Sequence, residues 1–284
     1  MQQNFRESIP FASELLPSSW HICDPIEGDW RFFLHIHEQL EILLFRKGAV
    51  EVTCGDAQFT ANAGDVVVID YDTPHCFRTT AANCVYDCLF VQTSFLEKFG
   101  FAVKQTHFQP LIRDAEVTQL YTRLRDITAE FYRKNSEEPS QSRLLLARAL
   151  ALALTAVLVD RFSQPCSEHK ALNNRTELIK AVSIYVQDHL CEPISLDDIS
   201  REVNFSKAYL CRVFREYTGN TLFDLIQQRR CEHARELLLQ GKHTISECAQ
   251  LSGFSTPSYF SKIYRRCIGE LPSESIKKAA PAHL

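Results

Sequence analysis

From Phe32 to about Val91 the apolar residues come in short runs rich in Val, Ile and Phe. Turn signals cut them at regular intervals: Lys47-Gly48, Gly55-Asp56, Asn62-Ala63-Gly64 and Asp72-Thr73-Pro74. Short runs with this punctuation predict strands packed as a barrel or a sandwich. Past about Gly100 the period changes. Val117, Leu120, Leu124, Ile127 and Phe131 recur at three- and four-residue steps within 114–134, which predicts an amphipathic helix. After Pro139, residues 142–162 predict a second helix, apolar on more than one face. Such a helix packs on two sides, wholly within its own core or partly against a second subunit. Residues 163–174 are polar, contain Pro165 and lack a period, so they read as a linker. Everything after them has helical texture.

That last stretch contains a duplication. Residues 195–219 (SLDDISREVNFSKAYLCRVFREYTG) and 244–269 (TISECAQLSGFSTPSYFSKIYRRCIG) match at Phe205/Phe254 and Ser206/Ser255, then at Leu210/Phe260, Arg212/Lys262, Phe214/Tyr264 and Gly219/Gly269. One residue inserted near Pro257 accounts for the change of offset. Ser195 with Asp198, and Thr244 with Glu247, have the spacing of capping boxes that start a short helix. Asn204 and Gly253 tolerate the left-handed turn that follows, and Ser206 or Ser255 is placed to cap a second helix. Leu210, Val213 and Phe214 line the inner face of one second helix; Phe260, Ile263 and Tyr264 line the other. Helix, tight turn and helix, each copy ending at a glycine, is the helix-turn-helix pattern. Between the copies, Leu222, Leu225, Ile226, Ala234, Leu237 and Leu238 face inward on one spacer helix. Two reading helices on a rigid spacer suit successive major grooves, about 34 Å apart.

Residues 175–278 resemble the arabinose-regulator (AraC/XylS) family of transcription factors. The resemblance is carried by SLDDIS, RR..HARELL and TISECAQLSGFSTPSYFSKIYRRCIGELPSE, above all by Gly253-Phe254, Ser258-Tyr259-Phe260, Gly269 and Pro272. The chain departs from the family at Ile263-Tyr264-Arg265, where a Phe-Lys pair is usual, and at Pro257, which a first helical turn tolerates. The resemblance implies that Ala208, Cys211 and Arg212, then Pro257, Ser258, Ser261 and Lys262, face the bases. Arg212 is the best candidate for a guanine edge. Ser206, Lys207, Arg215, Thr256, Arg265 and Arg266 are assigned to phosphates, which set register rather than sequence. Arg230, on the spacer helix, is expected to make a contact within the domain.

Charge adds little. The net charge is −4 overall; residues 1–170 carry 16 Lys/Arg against 22 Asp/Glu, and residues 171–284 carry 15 against 13. Such a mild basic excess favours dimerisation, with residues 113–162 as the coupling element. The eleven cysteines include no CxxC pair, which argues against a zinc ribbon, and Cys84 and Cys88 read as small buried residues. A DNA-repair alkyl acceptor would need a zinc-ligating cysteine cluster, which the sequence lacks. The run Ala149–Val159 falls short of the ~18 apolar residues of a membrane span. The opening MQQNFRESIP has no signal-peptide core, so a cytoplasmic location is expected.

Ahead of this helical half, HIHEQLEILLFRKG and AGDVVVIDYDTPHCF resemble the two cupin motifs, from His35 through Glu41 to Gly48 and from Gly64 to His75; Thr79 stands where an asparagine is usual. The expected fold is therefore α+β with two domains: a cupin-like β-barrel over 1–112 with a helical dimerisation segment over 113–162, a linker over 163–174, and an all-α double helix-turn-helix domain over 175–284. In this family such a barrel commonly senses a small effector, often a sugar. His35, His37, Glu41 and His75 then have three readings: polar groups that bind the effector, ligands of a divalent metal, or satisfied structural residues. Trp30, Arg31, Phe33 and Arg78 are further pocket candidates. The expected function is a ligand-responsive, sequence-specific transcriptional activator with no resident cofactor and no enzyme activity, bound to promoter DNA as a homodimer and contacting RNA polymerase. The competing reading is a metal-dependent cupin enzyme with a DNA-binding tail.

Overall fold

The run Leu40–Phe45 is apolar except for Glu41, and it forms the first six residues of strand β3 (Leu40–Lys47), buried on both sides. Alternation sorts its side chains into two cores. A computed structural model describes residues 18–22, 31–79, 84–129, 140–165 and 174–279, and divides the chain into one unit ending at Thr176 and another beginning at Glu177. In the first unit β3 is the central strand of a five-stranded antiparallel sheet. Its companions are β1 (Ser18–Ile22), β6 (Val66–Ile69), β8 (Val85–Val91) and β10 (Leu111–Ile112), in the order β1-β8-β3-β6-β10. A second antiparallel sheet has the order β2-β7-β4-β5, from β2 (Arg31–His35), β4 (Ala49–Cys54), β5 (Ala57–Asn62) and β7 (His75–Thr79).

Leu43, Phe45, Val67, Ile69, Tyr86, Cys88 and Phe90 face the second sheet and meet Val50, Val52, Cys54 and Phe77 there. Leu40, Ile42, Leu44, Val66, Val68, Leu89 and Val91 face the other way, towards the helices α2 (Ala115–Thr128) and α3 (Gln141–Phe162). Each fully buried side chain of this size contributes roughly 1.5–3 kcal/mol. The strands thus form a sandwich of two sheets, and the closed barrel that the cupin resemblance implied is corrected. No strand pairing joins the two sheets among the described residues.

Asp114 caps α2, accepting from the amides of Glu116 and Val117, and the Tyr121 hydroxyl donates to the carbonyls of Ile42 and Asp87, pinning the helix to the sheet. Helix α3 buries Leu144, Ala147, Leu150, Ala151, Leu154, Thr155 and Leu158. Its 22 residues, with a mean hydropathy of 1.9 over the most apolar stretch, are long and apolar enough to cross a membrane, where the shorter apolar run had fallen short. One face is nevertheless committed to the sandwich core. Within the expected linker, Ser163–Pro165 form a short strand, β11, paired with β9 (Thr106–Phe108). Residues 166–173 lie outside the described residues.

The second unit is helical: α4 (Asn174–Asp188), α5 (Leu196–Glu202), α6 (Lys207–Thr218), α7 (Leu222–Gln240), α8 (Ile245–Leu251), α9 (Pro257–Ile268) and α10 (Pro272–Ala279). Both expected capping boxes form, at Ser195/Asp198 and Thr244/Glu247, and a third caps α7 at Thr221/Asp224. Asn204 and Gly253 hold the left-handed turns, with φ of 56° and 80°, and Gly219 and Gly269 end α6 and α9 in the same region. Ser206 caps α6, but Thr256 rather than Ser255 caps α9. The residue inserted in the second copy moves the cap along by one and puts Pro257 at the first helical position, where no amide hydrogen bond is lost.

Candidate functional site

In the first unit, alternation brings the histidines and the glutamate to one place. His35 ends β2, and His37 lies two residues on. Glu41 is on the inner face of β3, and His75 opens β7, paired with His35. Their exposures are 2%, 1%, 3% and 0%. His37 Nε2 is 2.9 Å and His75 Nε2 3.0 Å from Glu41 Oε2, and the His35 and His75 rings lie 3.9 Å apart. Burial pushes the Glu41 carboxyl up, but the His37 and His75 imidazoles outweigh it and hold it well below the usual carboxylate range. Cys88, on β8, donates its thiol to Glu41 Oε1 at 2.9 Å. Sequence reasoning placed Cys88 only as a buried residue; its role needs the β3–β8 pairing, in which Leu43 opposes Cys88 and Glu41 opposes Phe90. Three imidazoles and a carboxylate are donors that can hold a transition metal.

Arg78 does not join this cluster. It is three residues beyond His75 and so on the opposite strand face, exposed and 3.7 Å from Glu51. Its assignment to an inner pocket is corrected. Trp30 lies outside the described residues, as do the side chains of Arg31 and Phe33.

In the second unit, α6 and α9 bury one face each: Leu210, Val213, Phe214 and Tyr217 on α6, and Phe260, Ile263 and Tyr264 on α9. The opposite faces carry the residues expected at DNA. Ser206, Lys207, Ala208, Cys211, Arg212 and Arg215 are exposed on the first; Thr256, Pro257, Ser258, Lys262, Arg265 and Arg266 are exposed on the second. Ser261 is half-buried, and its hydroxyl donates back to the Pro257 carbonyl at 3.0 Å, so it is less open than its spacing suggested.

Two local devices order the first face. Phe205 stacks on Tyr209 at 5.1 Å, and the Arg212 guanidinium lies 5.3 Å from the Tyr209 ring centre. Such a cation–π contact, about 0.5–1 kcal/mol at an exposed site, preorganises the arginine. Lys207 pairs with Asp197 at 2.8 Å, tying α6 to α5. On the second face Ser261, Lys262, Arg265, Arg266 and Leu271 line one shallow depression, a basic cradle of the kind that takes a phosphate.

Arg230 makes the internal contact expected of it. Its Nε donates to the Leu190 carbonyl at 2.9 Å and a terminal nitrogen donates to the Glu192 carbonyl at 2.6 Å. A Cβ on Gly253 would lie 2.8 Å from that Leu190 oxygen and 2.9 Å from Arg230 Nε. The second helix-turn-helix is thereby locked onto the loop that follows α4.

Comparison with known proteins follows the same division. A family model described as an AraC-like ligand-binding domain matches residues 25–154, and one described as a helix-turn-helix domain matches residues 199–278. The uncharacterized HTH-type transcriptional regulator YdiP of Escherichia coli (strain K12) is 24% identical over 256 residues, covering 86% of this chain and 81% of its own. The probable transcriptional regulator LumQ of Photobacterium leiognathi is 25% identical over 242 residues, covering 84% of this chain and 90% of its own. The crystal structure of ToxT from Vibrio cholerae O395 aligns over 94% of this chain and 99% of its own, at 13% identity and a TM-score of 0.48. A ligand-binding sandwich and a duplicated helix-turn-helix, each matched where the fold places it and both spanned by regulator relatives, place the chain in the AraC/XylS family of ligand-responsive, DNA-binding transcriptional regulators.

Proposed function

We propose that this regulator acts as a cytoplasmic, homodimeric activator that reads a bipartite promoter site with α6 and α9 and contacts RNA polymerase there. Residues 1–112 are its sensor, 113–162 its dimerisation segment and 175–284 its DNA-binding domain, with the linker between. The sensor answers to a small effector, a carbohydrate or another small metabolite, and is not an enzyme. The observation that carries the reading is the matched pair of reading helices. Each has a capped start, a left-handed turn before it, a glycine stop and an outer face bearing arginine and lysine. Arg212 and Lys262 occupy equivalent positions and are the residues assigned to base edges, with Ala208, Cys211, Pro257, Ser258 and Ser261 beside them. Ser206, Lys207, Arg215, Thr256, Arg265 and Arg266 are assigned to phosphates.

Helix α3 supports the dimer. Opposite its buried face, Leu145, Ala149, Ala153 and Ala156 form an apolar stripe, with Leu145 67% exposed. The stripe suits close helix packing by a second copy. The test is selection of a random DNA duplex pool by the full-length chain. The expected result is an enriched sequence with two short motifs about one helical turn apart in each half-site. Enrichment of no sequence over the starting pool would exclude the proposal.

A further inference from the structure

The core of the second helix-turn-helix holds a pair of thiols that DNA reading does not need. Cys231 lies midway along α7 and is fully buried; Cys267 is in the last turn of α9 and is half-buried. Packing of α9 on α7 puts both in one cluster with Phe254, Phe260 and Tyr264, and the two thiols hydrogen-bond to one another. Sulfurs in contact are the first requirement for a disulfide, and the helix packing keeps them there. Among the described residues no third histidine, cysteine or carboxylate converges on the pair, so it lacks the ligand count of a zinc site.

The two thiols are not equivalent. The Cys231 thiol donates to the Cys267 sulfur, which keeps Cys231 protonated and brings Cys267 down to about 7. Burial opposes that fall; the Arg266 guanidinium adds to it by a hydrogen bond and by its charge, and Glu232 on α7 works against it. Much of Cys267 is therefore thiolate at neutral pH, the nucleophilic form of cysteine, and it is the member of the pair that solvent reaches. Cys248, in the same cluster, is the contrast: it is fully buried, burial pushes its thiol up, and it points at the His243 carbonyl.

We propose that Cys267 is a hydroperoxide-reactive thiol and Cys231 its resolving partner, and that together they form a reversible disulfide between α7 and α9. The Cys267 thiolate attacks the hydroxyl oxygen of the hydroperoxide. An S–O bond forms and the O–O bond breaks; the other oxygen takes up the proton that Cys267 had lost and leaves as water or an alcohol. The Cys231 sulfur then attacks the sulfenic acid sulfur. An S–S bond forms, the S–O bond breaks, and hydroxide leaves with the Cys231 proton as water. Two thiols lose two electrons in all, and one peroxide gains them. In a reducing compartment a thiol reductant reverses the bond, as suits a switch rather than a structural bridge. Oxidation also removes one anionic neighbour of Arg266, leaving Asp224 at 3.9 Å, and so strengthens a cation assigned to a DNA phosphate. This last link rests on the regulator reading above; the thiol chemistry does not.

The experiment treats the reduced full-length chain with a small excess of hydrogen peroxide, alkylates the remaining thiols and maps the peptides by mass spectrometry. The expected product is a Cys231–Cys267 disulfide that dithiothreitol reverses and that forms faster as pH rises through about 7, while Cys248 stays reduced. Cys231→Ser should stop at a sulfenic acid on Cys267, trapped by dimedone, and Cys231→Ala serves the same purpose if that variant fails to fold. Cys267→Ser should leave Cys231 unlabelled. Absence of the disulfide in the wild type, or dimedone on Cys231 in place of Cys267, overturns the site. In the same samples, affinity for the selected duplex should rise several-fold on oxidation, with a salt slope steeper by up to about 0.9, and Arg266→Ala should lose that gain. A disulfide that leaves affinity unchanged overturns the coupling to DNA and keeps the thiol pair. A disulfide in a chain that enriches no duplex discards the regulator reading and leaves the pair standing.

Discussion

Gly253 and Arg230 occupy one crowded spot, and each constrains the other. The turn needs φ of +80° at residue 253, and the Leu190 carbonyl and the Arg230 guanidinium leave no room for a Cβ. Gly269 has a similar φ, +86°, but open space around it. Gly269→Ala should therefore lose only the left-handed backbone preference, about 1–2 kcal/mol, whereas Gly253→Ala should lose clearly more. Urea unfolding followed by helical circular dichroism measures both; equal losses would show that the packing at Gly253 is loose. At this scale the sequence carried much of the site. Strand alternation put His35 and His37 on one face, and the cupin resemblance implied that Glu41 and His75 meet them there. Arg78 was misplaced because its residue type was weighed without strand parity, which puts residues 75 and 78 on opposite faces. Cys88 was missed for a different reason: its partner Glu41 is 47 residues away, and only the β3–β8 register brings them together.

Helices were easier to read than strands, because a helix carries its own period and its own caps. The duplicated capping boxes, turns and glycine stops appear where the residues placed them, apart from the one-residue shift of the α9 cap. The strands β9, β10 and β11 are two or three residues long and have no alternation to detect; they exist through pairing with distant partners. Helix α3 is the element whose two faces had to be told apart. Its inner residues fill the sandwich core, and its outer stripe runs through Leu145, Ala149 and Ala156. A charge on the outer stripe should leave the core intact and oppose dimerisation. For Leu145→Glu we expect a monomer by light scattering, with the same melting profile as wild type at low concentration. A dimer that survives in Leu145→Glu and Ala149→Glu alike would place the interface elsewhere.

Across the whole molecule, two units divide sensing from reading, and the duplication in residues 195–269 made the second unit the more legible. The first was harder, because alternation along a strand does not say whether the sheet edges meet; a barrel and a sandwich bury the same alternate residues. The basic excess beyond residue 170 is only two charges, so DNA affinity must come from a few placed cations and from linking reading heads. The most direct measurement is the affinity of the full-length chain for its selected duplex across a range of salt, for wild type, Arg212→Ala and Lys262→Ala. The predicted result is a steep fall of affinity with salt, about 0.9 in log slope per neutralised phosphate. Each substitution should weaken binding by about 10-fold or more and relax preference at one base pair of one motif, worth about 1–3 kcal/mol. Binding indifferent to salt, or both variants reading the duplex as wild type does, would contradict the account.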